Sequence, residues 1–256
     1  MKTRTKKTLP TARNGPVFSV PNAVLVDRSS GEGYARVTLA GIHGAPAARP
    51  GQFLMIRRLG SAALPRAFSV LRAESDRVEL FIKLDGLLRE LLGAVPLGTR
   101  FELRGPYGVP YEDRIDPNGR YVLVGGGSGA APLLFLHERR PDLVEDVVLG
   151  FRHEGAQWLL RGYELVVESA DGRRAHDRLA DVWRQGLGII ACGPEPMLRA
   201  ITSRYGDQPR VYVSLEARLG CGIGSCLGCS IPTPAGTRRI CKDGPLFAAS
   251  ELPWLR

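Results

Sequence analysis

The apolar positions of this chain follow one rhythm in its first half and another in its second. Between residues 17 and 115 they come in short β-type runs separated by turn signals, most clearly at 35–39, 51–56, 67–71 and 77–83. That spacing predicts a small antiparallel barrel, interrupted by one helix over 87–92. From Arg120 the texture changes. Residues 121–124 are wholly apolar, a glycine-rich turn follows, and 130–136 opens a helix. Further strands are expected at 146–151, 163–167 and 188–191, with helical patterns at 178–183 and 197–204. Strand–helix alternation predicts a doubly wound parallel sheet. The expected fold class is therefore multidomain, β plus α/β. A basic tail spans 1–15, an antiparallel β-barrel 16–117, a nucleotide-binding α/β domain 118–210 and a small cysteine-bearing module 211–256.

Composition narrows the function classes. At 44% hydrophobic and 24% charged residues, the 256-residue chain has the make-up of a globular protein with a sizeable core. The uncharged stretches 219–237 and 121–136 are broken by Gly, Cys, Ser and Pro, so neither reads as a membrane span. The basic N-terminus has no apolar run behind it, so a cytoplasmic location is expected. The formal net charge of +9 invites a nucleic-acid reading, but Lys2, Arg4, Lys6, Lys7 and Arg13 supply five of those charges. Without them 30 basic side chains face 26 acidic ones, and no basic run interleaved with aromatics remains. Neither a nucleic acid nor a membrane is expected as a partner.

Four of the five cysteines, Cys221, Cys226, Cys229 and Cys241, follow the spacing C-x4-C-x2-C-x11-C. The candidates are a four-cysteine zinc site and a [2Fe–2S] cluster. Zinc sites usually pair their ligands as two C-x2-C knuckles. Here three ligands crowd into one loop and the fourth arrives from a distance, as in plant-type ferredoxins. Gly220, Gly222, Gly224 and Gly228 suit a loop that wraps a cluster and turns its amides toward sulfur.

Three weaker motifs accompany the cysteines. Gly125, Gly126, Gly127, Ser128 and Gly129 form a strand-to-helix turn that fits G-x-G-x-x-A loosely, a cradle for a pyrophosphate or simply a tightly packed turn. The usual ribose-binding acid is not clean, since Asp142, Glu145 and Asp146 compete and Arg152 follows the next strand. Cys192, Gly193, Pro194 and Glu195 lie where a strand ends and a helix begins. The thiol there either rests beside a nicotinamide or packs as a small apolar side chain. Arg66, Ala67, Phe68 and Ser69 place an arginine and a serine around an aromatic in the barrel. No Ser/His/Asp or paired-carboxylate constellation is visible, so no catalytic acid, base or nucleophile is assigned.

In this order the motifs resemble the ferredoxin-reductase superfamily with a C-terminal [2Fe–2S] module. More narrowly they resemble the electron-transfer subunits of type B dihydroorotate dehydrogenase. The matching segments are 66–69, 105–108, 125–133, 192–197, 213–216, the four cysteines and 241–245, where Cys-Lys-Asp-Gly-Pro is the most specific. The resemblance spans residues 17–250. It implies FAD on the barrel, with Arg66 and Ser69 at its phosphates, Phe68 near the flavin, and Ala67, Phe81, Ile82, Lys83, Gly86 and Leu87 completing the set. It implies NAD at Gly125–Gly129 and Cys192–Glu195, and a [2Fe–2S] cluster on the four cysteines. Leu87 stands where the family has a threonine, Ala67 where it has proline, and Arg89 is a candidate substitute phosphate ligand.

The implied partner is an FMN-containing dihydroorotate dehydrogenase catalytic subunit, in a heterotetramer of two copies of each chain. The implied path runs from dihydroorotate through partner FMN, [2Fe–2S] and FAD to NAD+, in pyrimidine (UMP) biosynthesis. Two alternatives stand beside it. One is an NAD(P)H-dependent reductase serving an oxygenase, hydrogenase or sulfite reductase; the other is a non-catalytic, zinc-containing nucleotide-binding regulator.

Overall fold

The computed structural model describes residues 18–255; the basic segment 1–15 lies outside them. Seven strands build the first layer: β1 (Phe18–Gly31), β2 (Tyr34–Ala40), β3 (Phe53–Arg58), β4 (Arg66–Ser69), β5 (Arg72–Glu74), β6 (Arg77–Lys83) and β7 (Arg100–Tyr107). They pair antiparallel in the order β4-β3-β7-β1-β2-β6-β5. The two end strands are joined by only Val70 and Leu71, whose amides donate to the carbonyls of Gln52 and Glu79. The bent segment 66–74 thus closes the curled sheet on itself, as a barrel requires. Alternation along β2 sends Ala35, Val37 and Leu39 inward to meet Leu25, Leu54, Ile56, Leu80, Phe101 and Leu103. Full burial of each such large apolar side chain contributes about 1.5–3 kcal/mol. The expected helix at 87–92 is shorter. It is α1 (Gly86–Leu88) followed by a wide turn over Arg89–Gly93, and Leu92 is fully buried in the barrel core.

The second layer comprises β8 (Tyr121–Gly126), α2 (Ala130–Arg139), β9 (Val144–Phe151), β10 (Leu165–Val167), α3 (Glu168–Asp171), α4 (Ala175–Val182), β11 (Gly188–Cys192), α5 (Glu195–Tyr205) and β12 (Val211–Ser214). Its sheet runs β10-β9-β8-β11-β12, all parallel. β8 is buried along its whole length. Tyr121 and Leu123 face Leu133 and Leu136 of α2, while Val122 and Val124 face Leu179 of α4 and Leu198 and Ile201 of α5. A strand covered on both faces reads as an unbroken apolar run.

The rest of the chain is β13 (Ser230–Thr233), β14 (Gly236–Arg239), α6 (Ile240–Asp243) and β15 (Leu246–Ala248). β15 pairs antiparallel with β12 and becomes the sixth strand of the sheet. Of the segment 211–256, then, the two ends belong to the nucleotide-binding sheet, and the cysteine loop with its hairpin is held between them.

Barrel and sheet share a continuous core in which Leu71 and Phe81 pack with Ala130, Leu134, Leu149 and Phe151. Two glycines let the layers meet backbone to backbone at the β1–β2 turn. A Cβ on Gly31 would lie 2.7 Å from Trp158 Nε1, and one on Gly155 would lie 2.7 Å from Glu32 Cα. Among the described residues no helix is long and apolar enough to cross a membrane.

Candidate cofactor sites

The chain leaves β8 toward β9 and β10 on one side, then returns to place β11 and β12 on the other. The carboxyl ends of β8 and β11 therefore flank a topological switch point, where open α/β sheets bind ligands. Gly125 and Cys192 are register partners there, so the structure brings the glycine turn and the Cys192 segment together. They interlock through missing side chains. A Cβ on Gly126 would lie 2.8 Å from Pro194 Cδ and Met197 Sδ, and one on Gly129 would lie 2.7 Å from the Gly193 amide nitrogen. A Cβ on Gly193 would in turn lie 2.9 Å from Gly126 Cα. The close packing expected of the glycines is present, and it shapes the loop at the crevice. Only Gly127, at φ +55, needs left-handed backbone in this turn.

The competing acids resolve by position. Asp142, Glu145 and Asp146 sit before or at the amino end of β9, opposite the crevice. Asp142 pairs with Arg140, and Glu145 with Arg120 and Arg184. Arg152 follows the carboxyl end of β9, beside the crevice.

Cys192 is buried beside Ser214, its register partner on β12, and near Tyr111. Burial, reinforced by Glu216, pushes its thiol far above the ordinary range, so it stays neutral. Glu216, two residues beyond Ser214, is solvent-exposed yet ringed by protein. Desolvation raises its carboxyl pKa, and Lys83 opposes the rise. Its interaction with Lys83 of β6 places Glu216 at the boundary between the barrel and the sheet.

Tyr34 lies on the same boundary. Its ring stacks on Phe81 at 5.2 Å and meets Phe151 edge-on at 5.3 Å. A Cβ on Gly127 would lie 3.0 Å from its hydroxyl, and Arg152, Asp85 and Glu216 all act on that hydroxyl electrostatically. The sequence gives Tyr34 no visible role, since a lone aromatic on an alternating strand carries no signal of its own. Glu216 was visible only as part of Val-Ser-Leu-Glu.

On the barrel, Arg66 and Lys83 are exposed, and Ala67 and Ser69 are half-buried. Phe68 turns into the barrel core beside Leu54, Ile56 and Val70. Phe81 joins the core shared with the sheet, and Ile82 lies inside the barrel. Contact from Phe68 or Ile82 to a flavin would therefore run through their main chain. Lys83 pairs with Asp85 at 3.6 Å. Gly86, at φ +37, faces open space, room that suits a phosphate-bearing ligand.

The cysteine loop rests on the barrel. A Cβ on Gly222 would lie 2.9 Å from Met55 Cγ and 3.1 Å from Tyr107 Cδ2, and Met55 is the register partner of Ala67. The loop is anchored again at Gly244, whose carbonyl accepts from the Val109 amide at 2.7 Å, while the Asp243 carbonyl accepts from Arg114. Lys-Asp-Gly-Pro thus ties the cysteines to the barrel.

The thiols gather as two pairs. Cys229 Sγ and Cys241 Sγ are 3.3 Å apart, and Cys221 Sγ accepts from the Cys226 amide at 3.5 Å. Among the described residues no group of three His, Cys, Asp or Glu side chains is placed to hold one metal ion. A [2Fe–2S] cluster places its ligands on two irons, which two pairs of thiols suit. The donor set fits the cluster. Burial would raise the Cys221 pKa, but the amides of Cys226, Ile223 and Ser225, together with the Cys226 side chain, bring it down to about 6. Such amides favour a bound thiolate.

A barrel docked against a switch-point crevice defines a ferredoxin-reductase-like protein, and the cysteine loop adds an iron–sulfur module to it. Solved structures share the fold. NADH-dependent reduced ferredoxin-NADP oxidoreductase superposes with a TM-score of 0.77 and 23% identity, covering 90% of this chain and 88% of that one. Phthalate dioxygenase reductase does so at 0.59 and 14%, covering 77% and 69%. Residues 216–253 match the model of the iron-sulfur cluster binding domain of dihydroorotate dehydrogenase B.

Two relatives carry the description dihydroorotate dehydrogenase B (NAD(+)), electron transfer subunit. The one from Geobacillus thermodenitrificans is 33% identical over 248 residues, covering 90% of this chain and 96% of that protein. The one from Caldanaerobacter subterraneus is 33% identical over 217 residues, covering 79% and 86%. The chain belongs to this family of electron transfer subunits.

Proposed function

We propose that this chain carries electrons from a dihydroorotate-oxidising, FMN-containing subunit to NAD+, by way of a [2Fe–2S] cluster and FAD, in pyrimidine biosynthesis. The assembly is a heterotetramer of two copies of each subunit. The observation that carries this reading is the seating of the cysteine loop. Gly222 lies on Met55 and Tyr107, and Met55 pairs with Ala67 inside the R-A-F-S motif. Cys229 and Cys241 share a buried core with Phe53, Met55 and Tyr107, against which Ala67 packs. The cluster ligands and the flavin motif are therefore separated by one layer of barrel side chains.

A bound flavin supplies the link, because it exchanges single electrons with a cluster and a hydride with a nicotinamide. The chain's own residues bind, orient and exclude water. Arg66 and Ser69 would hold FAD phosphate, with Ala67, Phe68, Phe81, Ile82, Lys83, Gly86 and Leu87 lining its site. Gly125, Gly126, Gly127, Ser128 and Gly129 would present backbone amides to the NAD pyrophosphate. Cys192, Gly193, Pro194 and Glu195 would form the floor under the nicotinamide, and the neutral Cys192 thiol keeps that floor uncharged. The partner would dock at the cysteine loop. There Cys226 is exposed between Ile223 and Leu227, which are 52% and 61% exposed. Apolar side chains left open around a redox centre suit a protein interface.

The test is an anaerobic absorption spectrum of the purified chain, followed by reconstitution with the FMN subunit. Flavin and iron–sulfur bands that bleach with NADH are expected, with dihydroorotate-dependent NAD+ reduction only when both subunits are present. A colourless protein holding zinc would overturn the reading.

A further inference from the structure

Tyr111 is fully buried, and its hydroxyl meets no partner at full hydrogen-bond geometry among the described residues, although the Cys192 thiol and the Ser214 hydroxyl lie close enough to act on it. An unpaired buried phenol is a standing cost that phenylalanine would not carry. The surroundings are nevertheless shaped around this ring. Gly51, at φ +85, leaves it room, since a Cβ there would lie 2.7 Å from Tyr111 Cγ. The Tyr111 amide donates to the Pro50 carbonyl at 2.9 Å.

The ring packs in the apolar core with Leu133, Ile190, Cys192 and Leu246. Its polar neighbours are the Cys192 thiol and the Ser214 hydroxyl. Ser214 and Cys192 are only 3% and 2% exposed, and they face each other at the carboxyl ends of β12 and β11. Phenol, thiol and hydroxyl thus meet in an otherwise apolar pocket directly beneath the switch-point crevice. Two residues beyond Ser214, Glu216 interacts electrostatically with Lys83 and Tyr34.

The geometry points to Tyr111 as a positioning residue for Cys192. With nucleotide in the crevice, its O–H donates to the Cys192 sulfur and fixes the thiol rotamer that meets the nicotinamide. A cysteine has a single side-chain torsion with three wells, so one hydrogen bond selects among them. The neutral thiol can then donate onward to Ser214 Oγ. This inference rests on the reading of the crevice as the NAD site.

The test uses full-length protein with its cofactors and compares NAD+ with ADP-ribose, which lacks the nicotinamide, by calorimetry. Tyr111→Phe should keep its flavin and iron, melt at or above the wild-type temperature, and bind ADP-ribose unchanged. Its Kd for NAD+ should rise about 3–10-fold, the range of one lost hydrogen bond. Ser214→Ala approaches the same thiol from the other side and should show the same nicotinamide-dependent loss. Unchanged NAD+ binding in both variants, or an equal loss for both ligands, overturns the role of Tyr111. Failure of the wild-type protein to bind either ligand is a different result and overturns the NAD site itself.

Discussion

Gly129→Ala isolates the interlock that forms the crevice floor. Gly129 sits at φ −62 and ψ −11, which alanine adopts freely, so the substitution carries no backbone strain. Its whole effect comes from what the new methyl meets. That methyl would lie 2.5 Å from the Cys192 carbonyl carbon and 2.7 Å from the Gly193 nitrogen, where ordinary contact begins at 3.4 Å. The shortfall, about 0.9 Å at that carbon and larger at the carbonyl oxygen, falls on backbone held in the β8–β11–β12 ladder, which cannot rotate aside as a side chain would. The glycine turn must shift instead, at the overpacking cost of about 1–3 kcal/mol.

Urea unfolding should show that loss, and calorimetry should show weakened NAD+ binding, because the displaced turn carries the amides proposed to face the pyrophosphate. Gly186→Ala is the control. It sits at φ +96 in open space before β11, at the end of the sheet away from the crevice. It should cost about 1–2 kcal/mol through backbone strain alone and leave NAD+ affinity intact. A Gly129→Ala protein with wild-type midpoint and wild-type affinity would refute the interlock.

The remaining predictions reach other parts of the chain. Cys226→Ser should abolish the iron–sulfur absorption and make residues 217–239 sensitive to protease, while 211–214 and 246–248 stay protected in the sheet; unchanged iron content would sink it. Thr202 is buried, and its hydroxyl lies 2.8 Å from the Leu255 carbonyl and 3.0 Å from that of Leu198, clamping the C-terminal turn to α5. Thr202→Val should cost about 1–3 kcal/mol in urea unfolding, the range for leaving a buried acceptor unpaired. Glu216 gives a pH signature. Its folded pKa is raised by desolvation, so its contribution to stability is complete below the unfolded value and is lost as pH rises through the folded one. Glu216→Gln should match the wild type near pH 4 and become the more stable protein by pH 7; a difference that stays constant across that range would contradict the desolvation.

What the sequence disclosed, and what it did not, follows from the range over which each signal acts. The cysteine loop was legible because its ligands and glycines lie within one segment. β8 and β11 were legible because burial on both faces leaves an unbroken apolar run. β1 was not, although it is the longest strand. Its register shifts twice, between Val20 and Ala23 and between Leu25 and Asp27, and each irregularity breaks the two-residue period that would have announced it. β15 has three residues and becomes a strand only because β12 offers an edge.

The same distinction applies to the sites. Gly125 through Gly129 could be found as a string, but the glycines at 126 and 129 are fixed by Pro194, Met197 and the backbone after β11, about 65 residues away. Tyr34, Tyr111 and Glu216 carry no motif that assigns them a role, because their meaning lies in contacts across the barrel–sheet boundary. In a chain that must pass electrons between groups held by different domains, residues of this kind collect where the domains meet. The buried hydroxyl of Tyr111 and the desolvated carboxyl of Glu216 both lie on that boundary, and both act electrostatically on the Cys192 thiol.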